Sequence, residues 1–169
     1  MPSLYEKIRP KCLNLRFLNF RHGLKEQIRN RIIENEMKEL NGLREMHRTH
    51  TESADLDEDS SLELDDFAQQ DQSRESARSL ESRINSAKQA LDSFVNISFS
   101  PKSQVEPGAL VLTDSLNFYI GISASQFQYE GKTFIGLQTD APIYAALEGK
   151  KVGDELDFNG KKYKILEVF

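Results

Sequence analysis

"ARSLESRINSAKQALDSF", residues 77–94, decides the fold. Ala77, Leu80, Ile84, Ala87, Leu91 and Phe94 step by three and four in alternation, the spacing of a heptad seam. No Gly or Pro interrupts residues 62–100. The stretch therefore predicts a long helix whose single apolar stripe needs a partner. A partner lies upstream. Leu13, Phe17, Phe20, Leu24, Ile28, Ile32/Ile33, Met37, Leu40 and Leu43 recur at helical spacing, which predicts a second long amphipathic helix. Arg21, Lys25, Glu26, Arg29, Arg31, Glu34, Glu36 and Lys38 lie between them and read as its wet face. Gly23 and Gly42 each lower helix propensity by about 1 kcal/mol without stopping so long a pattern. Pro10 sits near the start, where a kink is tolerated.

Between the two patterns stands "ESADLDEDSSLELDD", residues 52–66, with eight carboxylates and no basic residue. Like charge at that density builds no core and reads as a solvated loop. Two helices that cannot bury their stripes alone, joined by a polar segment, predict an antiparallel coiled-coil hairpin with the acids at its tip. Arms of about 34 residues would be roughly 50 Å long. A helical bundle or a dimeric coiled coil has the same pattern.

Downstream of "VNISFSPKSQVEP" (95–107) the periodicity changes. "GALVLT", "NFYIGIS", "KTFIGLQ", "DELDF" and "KKYKILEV" are short strand-like runs, and Asn159-Gly160 between the last two is a hairpin signal. One short helix is expected after Asp140 as N-cap, with Pro142 in its first turn and Gly149 as its stop. The fold class is thus α+β. Residues 1–98 are expected to form the hairpin, with its tip near 51–66. Residues 99–103 would link it to a small domain over 104–169.

Charge and composition exclude several functions. A net charge of −5 and a pI near 5.3 argue against general nucleic-acid binding. Residues 1–50 carry eleven Lys/Arg against six Asp/Glu, so a basic arm runs straight into the acidic block. Cys12 is the only cysteine, which leaves no disulfide framework and no CxxC site. His47 and His50, three apart, have the spacing to grip a metal but read better as a solvated pair beside a polar loop. No apolar run approaches a membrane span and no signal peptide is evident, so a cytoplasmic protein is expected.

Residues 141–168, "APIYAALEGKKVGDELDFNGKKYKILEV", resemble the end of the Gre transcript-cleavage factors of bacterial RNA polymerase. The likeness rests on Ala141-Pro142-Ile143, Ala146-Leu147, Gly149-Lys150, Val152-Gly153-Asp154 and Tyr163-Lys164-Ile165-Leu166 in that order. Ala141 and Glu148 stand where that family has a serine and an apolar residue. At the tip, Ala54-Asp55-Leu56-Asp57-Glu58-Asp59 is similar to a Gre-type Gly-Asp-Leu-x-Glu-Asn pattern.

The resemblance implies an FKBP-like C-terminal domain that docks on RNA polymerase while the hairpin enters the secondary channel. It implies Asp55 and Glu58 as the functional acids, with Asp57 and Asp59 as auxiliary charges. They would act on magnesium held by the polymerase, with nascent RNA in the complex as a further contact. The chain would then be a polymerase-associated factor with no intrinsic cofactor, no small-molecule substrate and no membrane, and not itself an enzyme. Two other readings remain at this stage: a channel regulator or inhibitor without cleavage, and a cytoplasmic coiled-coil adaptor.

Overall fold

A computed structural model describes the backbone of residues 4–54 and 64–169, and the side chains of residues 23–54 and 67–169. Two long helices, α1 (Leu4–Ala54) and α2 (Leu64–Val95), precede six strands. These are β1 (Leu110–Thr113), β2 (Asn117–Ile120), β3 (Ala124–Tyr129), β4 (Lys132–Leu137), β5 (Glu155–Phe158) and β6 (Lys161–Val168). A short helix, α3 (Pro142–Leu147), falls between β4 and β5. The class is α+β, as expected.

The chain forms two compact units. One comprises Met1–Ile32 together with Asn96–Phe169, and the other is Ile33–Val95. The first part of α1 therefore groups with the sheet, whereas the expected hairpin took in the whole of residues 1–98.

In the helical unit both inward stripes follow the heptad spacing. On α2 the less exposed positions are Gln70, Ser73, Ala77, Leu80, Ile84, Ala87, Leu91 and Phe94, which continues the expected seam two steps toward the tip. On α1 the stripe runs Ile33, Glu36, Leu40, Leu43, His47, His50 and Ala54. Met37, expected on the stripe, is 52% exposed. The sequence step from Ile33 to Met37 fits a straight helix of 3.6 residues per turn. A seam that must stay against a partner follows 3.5, and that average selects Glu36 instead. Burial, with Glu39 nearby, pushes the Glu36 carboxyl above its ordinary pKa.

In the other unit the sheet has the order β3-β4-β2-β1-β6-β5. It is mixed: β2 and β4 are parallel and the remaining pairs antiparallel. The expected hairpin at Asn159-Gly160 is present, with φ of 54° and 76°, the left-handed pair that a tight two-residue turn requires. A second hairpin turns at Glu130-Gly131 and joins β4 to β3, an edge strand that the sequence reading did not contain. Its residues alternate polar and aromatic, "ASQFQY", with little apolar content.

One sheet face and α3 share a core that includes Val111, Phe118, Ile120, Leu147 and Ile165. Phe118 meets Tyr163 edge-on, with ring centroids 6.0 Å apart. The N-cap of α3 is Ala141, with no side-chain capping bond, so the expected cap at Asp140 is corrected by one position. Pro142 at the first helical position already fixes the backbone there. Gly149 ends the turn with φ of 73°.

The opposite face carries Leu110, Leu112, Tyr119 and Phe134, also buried. Phe127 of β3 stacks on Phe134 at 5.8 Å. The first part of α1 reaches this side. The Tyr129 hydroxyl donates to Gln27 Oε1 at 2.8 Å, and Ile28 and Ile32 have no exposed surface.

Candidate functional site

Asp55, Asp57, Glu58 and Asp59 lie outside the described residues. What positions them is described: α1 ends at Ala54 and α2 begins at Leu64, so the acids occupy a nine-residue connection between two helix ends. Asp65 and Asp66 fall in the first turn of α2. The last turn of α1 carries no basic residue to offset the acids.

The arms next to the connection are polar. Gln70 and Ser73 are buried, at 6% and 9% exposure. His47 and His50 are partly buried on the α1 stripe, so the pair expected to be solvated is only partly exposed. Outside the seam, Arg48 bonds Glu45 at 2.8 Å and lies 4.0 Å from Glu52. Such exposed pairs add little to stability. Met46 and Phe67 are about half exposed, at 48% and 52%. Among the described residues, no group of three or more His, Cys, Asp or Glu side chains is placed to hold a metal.

A second cluster of charge was missed by sequence reasoning. Lys25, assigned to the wet face, is 2% exposed. Residues 98–106, expected to be largely linker, fold over it. Its Nζ donates to the Ser100 carbonyl at 3.0 Å and sits 5.3 Å from the centre of the Phe99 ring. Arg29 approaches the same ring at 5.4 Å. Burial first, then repulsion from Lys102 and Arg29, lowers the Lys25 pKa from 10.5 to about 8, against an opposing pull from Glu106. Lys102 also bonds Glu106 at 2.7 Å, which holds that carboxyl below its usual range. Val105 closes the segment: it is fully buried, and its backbone exchanges hydrogen bonds with Lys150 and Gly149 at 2.8 and 2.9 Å. No local periodicity signals this fold-back, since Lys25 meets partners some 75 positions away.

Several of the residues that carry the C-terminal resemblance build the fold. Leu147, Tyr163 and Ile165 are core. Asp154 Oδ2 accepts from the Lys151 backbone at 2.7 Å, and Gly153 N donates to the Ile165 carbonyl at 2.9 Å. Together these bonds shape the turn into β5. No described helix is long and apolar enough to cross a membrane.

No protein-family model and no curated protein matches the chain. Among solved structures, it is similar to the crystal structure of GreA factor homolog 1 (Gfh1) of Thermus thermophilus, with 19% identity and a TM-score of 0.34 over 81% of this chain and 94% of that one. A further structure of the transcription factor Gfh1 has the same identity and TM-score and is covered over 92% of its length.

Proposed function

We propose that this chain is a transcription elongation factor that binds RNA polymerase and presents its acidic connection to the active centre through the secondary channel. The observation that carries the reading is the placement of the acids. Asp55, Asp57, Glu58 and Asp59 fall in sequence between the end of α1 at Ala54 and the start of α2 at Leu64, and the same chain holds a sheet unit. The Gre-like order of residues 141–166 supports it, as does a mixed α+β architecture. An FKBP-like assignment of the sheet unit belongs to this proposal.

The chemistry follows from the acids. Magnesium takes oxygen ligands and keeps several waters. A carboxylate brought beside a weakly held ion on the polymerase can help retain it and orient a water toward an RNA phosphodiester. Asp55 and Glu58 are assigned that role, and Asp57 and Asp59 add attraction toward a metal-bearing site. The ion belongs to the polymerase, the chain needs no cofactor of its own, and its place of action is the cytoplasm.

A non-cleaving regulator is the second reading. Ala54 favours it, because α1 remains helical through a position where the cleavage pattern has glycine. The deciding experiment uses stalled elongation complexes and the double variant Asp55→Ala/Glu58→Ala, with polymerase binding and RNA cleavage measured separately. Retained binding with lost cleavage supports the proposal. Binding without cleavage by the unaltered protein selects the regulator, and absence of polymerase binding by the unaltered protein overturns both.

A further inference from the structure

The seam of the helical unit changes chemistry partway along. From Ile33 to Leu43 on α1, and from Ala77 to Phe94 on α2, its less exposed positions are apolar except for Asn35 and Glu36. Beyond them, toward the connection, the less exposed positions are His47, His50 and Ala54 on α1 and Gln70, Ser73 and Ser76 on α2. About ten residues in each arm, three helical turns, thus lack the apolar burial that stabilises a coiled coil at about 25 cal/mol per Å².

A second observation concerns the α1 backbone in the same stretch. Thr49, Thr51 and Ser53 each turn the hydroxyl back to a carbonyl four residues earlier: Glu45 at 3.1 Å, His47 at 2.9 Å and Thr49 at 2.9 Å. Such back-bonding weakens and bends helices, and Thr, His and Ser are poorer helix formers than the Leu, Lys and Glu of residues 38–40. Side-chain packing and local propensity therefore weaken together over one length of the hairpin.

We propose that residues 44–54 and 67–77 open and close as one unit, separately from the apolar remainder of the hairpin. The boundary lies where Leu43 and Ala77 give way to His47 and Ser73. Simple end fraying would stop within the last turn. It would also be indifferent to seam residues three turns from the helix end.

Amide hydrogen exchange on the full-length chain tests this. Amides of 44–54 and 67–77, corrected for intrinsic rates, should exchange together and roughly tenfold or more faster than those of 33–43 and 78–91. Gln70→Leu/Ser73→Leu should slow the distal amides toward the proximal rate. Thr49→Ala/Thr51→Ala/Ser53→Ala should do the same through helix propensity, and it serves as the second variant if the first misassembles. Uniform protection along both arms overturns the proposal, as do fast distal amides that neither variant slows. The measurement uses the free protein, so its outcome is independent of whether polymerase is the partner.

Discussion

Lys25 and Phe99 form a cation–aromatic contact at 5.3 Å beneath residues 98–106, with the ammonium also bonded to the Ser100 carbonyl. A lysine held there keeps its charge against desolvation, and the hydrogen bond and ring face compensate only in part.

Stability should therefore respond to pH in a definite direction. Lys25 titrates near 8 in the folded protein and near 10.5 when unfolded. Between those values the unfolded chain binds more protons, so this residue makes stability rise with pH. Tyr119, pushed up to about 12 by burial, acts oppositely above pH 10, because the folded state keeps its proton longer. Denaturant midpoints for the wild type and Lys25→Met at pH 7 and pH 9.5 should diverge, with the larger gain in the wild type. Parallel profiles would refute the assignment.

Glu36 occupies a part-buried seam position, and its raised pKa reports the cost of keeping a carboxylate there. Glu36→Leu should stabilise the hairpin at neutral pH. Part of that gain should vanish at pH 4, where protonation already relieves the wild type. Thermal melts at both pH values check it; no gain at neutral pH would mean that the side chain bends out to water at no cost.

Gly42 has nothing within 4 Å of the position a Cβ would take. Gly42→Ala should raise stability by up to about 1 kcal/mol through helix propensity alone, read from urea unfolding with an unchanged slope.

Gly136 is the opposite case. A Cβ there would lie 2.6 Å from both the Ala124 Cβ and the Ile122 carbonyl oxygen, where β3 crosses β4. Gly136→Ala should cost roughly 1–3 kcal/mol through overpacking. A neutral result in the same unfolding assay would show that edge strand β3 shifts freely.

Fold does not carry activity. The chain has no Trp to floor a proline pocket, and the Gre-like residues are spent on core and turns. The full-length protein should show no prolyl isomerisation of a model peptide above the uncatalysed rate; measurable turnover would reassign the sheet unit.

What the sequence made legible follows from the range of the forces involved. The seam of α2 repeats locally, so Ala77 to Phe94 read correctly, and Asn159-Gly160 declared its turn through backbone preference alone. Met37 misled because a straight helix and a supercoiled one differ by a tenth of a residue per turn, enough to exchange Met37 for Glu36. Strand β3 was hidden because an edge strand needs little apolar content. Lys25 was unreadable, since its environment is built by residues far along the chain. Of the candidate acids, the sequence supplies position and charge, and their side-chain geometry falls outside the described residues.

Because α1 contributes its first part to the sheet unit and its remainder to the hairpin, no single cleavage of the chain yields both pieces intact. A fragment starting near residue 104 would lose Gln27, Ile28 and the Lys25 cover, and would expose the face around Tyr119 and Phe134 to solvent. A fragment ending near residue 98 would carry Ile28 and Ile32 without the unit they belong to. Dissecting the two units should therefore rely on point substitutions or on joining residue 32 to residue 96 with a short linker. Truncations will confuse loss of function with loss of fold.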